Sequence, residues 1–155
     1  MSLFDTLTQT LAHLEDRGQR AALLGGLAVS AWTEPRFTRD VDLAVAVSSD
    51  TEAESLVGSL IRSGYGLLAT VEQKATRRLA TARLLPPGEL AEGMLVDLLF
   101  TSSGIEPEIV EAAAELDIGA GGLIRVARAG HLVALKLLSN DPVETPAGAH
   151  ILRDR

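Results

Sequence analysis

The sequence predicts an α/β (α+β) fold, with helices and strands interleaved along a single domain. Two observations carry this. Apolar residues recur three and four apart in several segments, as at Leu3, Leu7, Leu11 and Leu14 and again at Leu56 and Leu60, with Ile61 adjacent, which is the period of an amphipathic helix. Between these segments lie short apolar runs, at residues 20–24, 40–47, 65–71, 79–85 and 94–100. They have strand length and are bounded by Gly, Pro or polar turns. At 155 residues the chain is one domain of ordinary size, able to bury a core without disulfides or a structural metal.

Taken in order, residues 3–17 form a helix capped by Ser2 and stopped by Gly18. Residues 20–24 form a buried strand that ends at Gly25-Gly26, and residues 27–33 a short helix closed by Pro35. A strand, a glycine turn and a helix start present free backbone N–H groups, and glycine lets an anion approach closely. Residues 40–47 form a largely buried strand. A turn at 48–51 leads into a helix at 52–62 that ends before Gly64. Residues 65–71 and 79–85 read as strands, and 86–93 as a loop. Residues 94–100 form another buried strand, 105–116 a helix, 123–127 a short edge strand and 130–139 an apolar helix. The tail NDPVETPAGAHILRDR holds Pro142, Pro146 and Gly148, which discourage a helix. The division expected is a domain over residues 1–140 and an irregular tail over 141–155.

Composition narrows the chemistry. Cysteine is absent, so disulfides, thiolate metal sites and Cys nucleophiles are excluded. The net charge of −7 argues against coating nucleic acid by bulk electrostatics. The N-terminal residues carry no basic region followed by an apolar core, and no apolar run reaches the roughly 20 residues of a bilayer span. No membrane association is expected, and a cytoplasmic location fits. His13, His131 and His150 do not lie at zinc-ligand spacing with acids and read as structural or surface residues.

The stretch GGLAVSAWTEPRFTRDVDLAVAV concentrates the candidate chemistry. Asp40 and Asp42 are one residue apart on a strand, so their side chains leave from one face. Two carboxylates at the end of a buried strand are costly unless a positive charge sits between them, and Mg²⁺ suits Asp oxygens. Asp97 interrupts a second apolar strand, MLVDLLF, and needs a partner there. A salt bridge or a strand-end cap would satisfy it as well as a metal would. Lys136 sits among Leu132, Val133, Leu135, Leu137 and Leu138, where snorkelling to solvent is the plain reading. Arg36 and Arg39 precede the acidic strand, as surface arginines or as partners for anions. Lys74, Arg77 and Arg78 read as a solvated hairpin end or as an RNA-backbone contact.

Gly-Gly, thirteen residues, then Asp-hydrophobic-Asp, with Arg36-Phe-Thr-Arg39 before the acids, resembles the nucleotidyltransferase domain of the DNA polymerase β superfamily. Within it, LLGGLAVSAWTEPRFTRDVDLAV is most similar to the AbiEii-like branch, the toxin half of abortive-infection toxin–antitoxin systems. The resemblance covers roughly residues 20–140. It implies a polymerase-β-type nucleotidyltransferase fold, with a mixed central β-sheet flanked by helices. It also implies transfer of a nucleoside monophosphate from an NTP to a hydroxyl of RNA, tRNA or protein, with an antitoxin or a helical partner protein. Two Mg²⁺ ions would be held by Asp40, Asp42 and Asp97, the last also able to take the hydroxyl proton. Gly25 and Gly26 would cradle the triphosphate, and Lys136 with Arg36 or Arg39 would neutralise its charge. Many members carry Gly-Ser where this chain has Gly26. Relatives usually continue past the last helix with an Arg-rich segment and further helices, so the tail looks truncated, which leaves open a non-catalytic nucleotide-binding or regulatory module. A metal-dependent glycosyltransferase also uses Asp-x-Asp, but this chain is short for one.

Overall fold

The computed structural model describes residues 2–33, 40–73, 78–88, 93–100 and 106–139. Within them, five helices and seven strands run in the order α1 (Leu3–Asp16), β1 (Ala21–Leu24), α2 (Gly25–Trp32), β2 (Asp40–Val45), α3 (Asp50–Arg62), β3 (Gly66–Gln73), β4 (Arg78–Leu85), β5 (Leu95–Phe100), α4 (Glu106–Ala112), β6 (Ala114–Asp117), β7 (Leu123–Val126) and α5 (Ala129–Ser139). The strands form one mixed sheet in the order β3-β4-β5-β2-β1-β7-β6. β2 pairs with β5 in parallel, as does β1 with β7. The remaining pairings are antiparallel. The expected mixed sheet flanked by helices is what the chain forms.

Local chemistry explains the helix boundaries. Ser2 accepts from the Asp5 backbone N–H while the Asp5 carboxylate accepts from that of Ser2, a reciprocal cap at the start of α1. Ser49 caps α3 by accepting from Glu52 N–H. Arg17 ties the end of α1 to α3 through Ser59 and Ser63. Thr10 and His13 both reach the Tyr65 hydroxyl, at 3.1 and 2.8 Å, so His13 has a packing role.

Strand alternation sorts the core into two layers. Val41, Leu43 and Val45 of β2 and Val96, Leu98 and Phe100 of β5 face one side, where they pack with Leu7 and Leu14 of α1 and Leu56 and Leu60 of α3. Ala22, Leu24 and Ala44 face the other side, against Ile109 and Val110 of α4, with Leu99, Leu132 and Leu135 at its margin. Asp40 and Asp42 share the parity of Ala44, and Asp97 that of Leu99. All three acids therefore belong to the second face.

Two expectations need correction. The helix expected over 105–116 ends at Ala112, and Ala114–Asp117 forms strand β6. Ala114 and Leu116 are half-buried while Glu115 and Asp117 are exposed. Pairing with β7 and the burial of Leu116 against the core override the helical preference of an Ala-Glu-Leu segment. β7 is then not an edge strand, because it lies between β1 and β6. Among the described residues no helix is long and apolar enough to cross a membrane.

Candidate active site

The register of the parallel pair sets the site. Asp42 of β2 lies directly opposite Asp97 of β5, and Asp40 opposite Leu95. On the other side of β2, Leu24 at the end of β1 pairs with Asp42, which places the first residue of α2 beside that carboxylate. A Cβ at position 25 would lie 2.0 Å from Asp42 Oδ2 and 2.8 Å from Asp42 Cγ. Gly25 also has φ +67°, a conformation that L side chains rarely hold. Gly26 does not share it. Only glycine fits at position 25, and what fills the space of its missing side chain is the Asp42 carboxylate.

Leu24 caps α2 in an extended conformation without a side-chain hydrogen bond. The N-cap residue thus gives the first turn of α2 no side-chain bond, and that turn starts beside Asp42. Ser30 donates to the Gly26 carbonyl, back into its own helix. The far end of α2 is pinned by the Trp32 indole N–H, which donates to the Ala127 carbonyl at 2.8 Å.

Asp97 is fully buried and held by a residue that residue type and spacing do not single out. Arg83 of β4 pairs with it in register. Its Nε and Nη2 meet Asp97 Oδ1 and Oδ2, each at 2.9 Å. The carboxylate is 0% exposed and the arginine side chain 28%. Hydrogen bonding to Asp97 pushes the Arg83 pKa up, partial burial works against this, and the negative charges of Asp97, Asp40 and Asp42 add to the rise. Arg83 therefore feels all three acids and stays charged.

The fold has counterparts. No protein-family model matches the chain, and no curated protein matches it in sequence. Among solved structures it is similar to ANT(2")-Ia in complex with adenylyl-2"-tobramycin, with a TM-score of 0.57 and 15% identity over 98% of this chain and 88% of that one. It is also similar to the lincosamide antibiotic adenylyltransferase LnuA with lincomycin bound, at 0.51 and 13% over 96% and 92%. An antigenic nucleotidyltransferase-like protein from Paracoccidioides brasiliensis gives 0.52 and 20% over 97% and 72%. The fold is the polymerase-β-type nucleotidyltransferase fold. At these identities the likeness reaches the fold and does not single out the AbiEii-like branch.

On this nucleotidyltransferase fold, Gly25, Asp40, Asp42 and Asp97 come together on the second face of the sheet. Lys136 lies on α5 with its side chain exposed. Arg36 and Arg39 lie outside the described residues, as do Lys74, Arg77 and the tail from residue 140. Arg78 is drawn towards Asp50 at 3.5 Å, and His131 towards Glu108 at 3.8 Å. A depression lined by Arg20, Val47, Ser48, Glu52, Val110 and Glu111 lies beyond the other end of β2 and shares none of these acids.

The donor set fits a hard divalent cation only in part. Asp40 and Asp42 offer oxygens from one face, with the glycine gap beside Asp42. Asp97 has both oxygens on Arg83. Among the described residues no group of three or more His, Cys, Asp or Glu is arranged to hold a metal.

Proposed function

We propose that this chain transfers a nucleoside monophosphate from an NTP to a hydroxyl acceptor and releases pyrophosphate. The observation that carries the reading is the register of Asp42 against Asp97, with Gly25 packed on the Asp42 carboxylate. Acids aligned on a strand pair beside a helix start would supply a cation site and an anion site on one face. Asp40 and Asp42 are the residues that would hold a divalent cation such as Mg²⁺. The ion, when bound, supplies charge neutralisation and orientation at the phosphates. The backbone N–H groups at Gly25 and Gly26 would donate to phosphate oxygens. Lys136, with Arg36 or Arg39, is assigned to the β- and γ-phosphates. Asp97, buried and bound to Arg83, orients that guanidinium toward the other acids.

The acceptor has two readings. The resemblance to abortive-infection toxins suggests RNA, tRNA or a protein, with a cognate antitoxin or helical partner. A small hydroxylated molecule is favoured by the net charge of −7, which repels polyanions, and two of the structural neighbours are an antibiotic adenylyltransferase and a complex with an adenylylated antibiotic. The test is incubation with each labelled NTP and Mg²⁺, in parallel with total RNA, total protein, and a panel of aminoglycosides and lincosamides. Label on one acceptor class, lost on chelation and in Asp42→Asn, supports the reading and chooses the class. Metal-dependent NTP binding with no labelled product would instead mark a non-catalytic nucleotide-binding module.

A further inference from the structure

We propose that, among the described residues, Arg83 is a resident cation of this site, and that the site takes a single divalent ion, at Asp40 and Asp42. The inference rests on the nucleotidyltransferase reading and departs from the two-ion arrangement that the family resemblance implies. A second ion would need an oxygen of Asp97. Both of those oxygens accept from Arg83 at 2.9 Å, in a bidentate fork on a fully buried carboxylate. Such forks are the strongest of the ordinary charged hydrogen bonds. A guanidinium also cannot be neutralised by losing its proton. A metal that reached Asp97 would have to enter at the remaining lone pairs of a carboxylate with no solvent exposure, and would sit close to a fixed positive charge that already neutralises that carboxylate. The strand register makes the fork a built feature, because Arg83 and Asp97 are directly paired between β4 and β5. Asp40 and Asp42 lie half-buried along the same face, close enough for their charge to act on Arg83.

The position of Arg83 gives it two tasks. Its fork fixes Asp97, so that the third acid sets geometry and does not bind ligand. Its exposed portion carries positive charge permanently to the face where phosphate oxygens would lie, where a second ion would otherwise be required. Arg83 is thus a positioning residue whose charge does not depend on metal concentration.

Anomalous scattering from crystals grown with Mn²⁺ and non-hydrolysable analogues of ATP, GTP, CTP and UTP counts the ions directly. One Mn²⁺ per chain, touching Asp40 and Asp42 while Arg83 stays on Asp97, is the expected result. Asp97→Asn should keep that single ion. Arg83→Gln should admit a second ion at Asp97, and Arg83→Lys, which keeps the charge, should not. Two ions in the wild-type protein, with Asp97 as a ligand and Arg83 displaced, would overturn the inference and leave the nucleotidyltransferase reading standing. No ion and no nucleotide with any of the four analogues would remove both. Should Arg83→Gln fail to fold, the wild-type and Asp97→Asn counts still decide.

Discussion

Replacing Gly25 by alanine separates two costs that the structure keeps distinct. The first is backbone strain. At φ +67° an L-residue loses about 1–2 kcal/mol, which lowers the melting temperature of a domain this size by roughly 2–8 °C. The second is collision. The new methyl would stand 2.0 Å from Asp42 Oδ2, where real Cβ contacts essentially never come under 3.0 Å, so the carboxylate must move by about 1 Å or more. A displacement of that size at a reacting centre costs on the order of 10²-fold in rate. Gly18→Ala supplies the control, because Gly18 has φ +70° and a methyl added there would meet nothing within 4 Å. The two variants should melt alike to within a few degrees, while only Gly25→Ala loses Mn²⁺ binding and nucleotide transfer. The assays are thermal unfolding by circular dichroism, and transfer of labelled NMP at saturating NTP. If Gly25→Ala transfers at the wild-type rate, the Asp42 carboxylate is not where the chemistry takes place.

Further expectations follow from other contacts. Arg83→Ala leaves a buried Asp97 unpaired and should cost about 3 kcal/mol, the low end for a broken buried pair because Arg83 is partly exposed; Arg83→Met combined with Asp97→Leu should recover most of that loss in denaturant titrations, and no recovery would argue that the pair holds the sheet by more than charge. Asp42→Asn should unfold like the wild type yet show no metal-dependent labelling, read by gel after incubation with labelled NTP. Lys136→Ala should raise the NTP concentration needed for half-maximal rate with little change in melting temperature, and an unchanged value would leave Lys136 a solvent-facing residue. Hydrogen bonds from the Ser48 side chain and backbone, and then from Gln19, lower the Glu52 pKa below its ordinary value. That stabilisation is complete above the unfolded-state pKa and disappears as pH falls through the lower folded value. The melting-temperature gap between wild type and Glu52→Gln should therefore close on acidification from neutral pH; a gap independent of pH would show that the carboxylate charge is not involved.

The sequence disclosed the elements whose signals are local. Ser2 as a cap, Gly18 and Gly64 as stops, and the two acid-bearing strands all follow from residue type and spacing. The partner of Asp97 does not, because it depends on strand order. An arginine inside an apolar strand occurs twice in the described sheet, at Arg83 in RLATARLL and Arg125 in LIRV. Either could have met the need of a buried acid. Arg83 is next to Asp97 because β4 pairs with β5, whereas Arg125 turns to the Val110 carbonyl near the end of α4. Strand β6 was hidden for the same reason. Its four residues carry a weak alternation that only a neighbouring strand makes decisive.

Trp32 is the chain's single tryptophan, and its indole is anchored to the Ala127 carbonyl while the residue stays 38% exposed. The helix that begins at the glycine corner therefore ends in its own optical probe. Any tilt of α2 as a triphosphate settles against its first turn would strain or loosen that anchor, and the emission spectrum would register the arrival of nucleotide without a label.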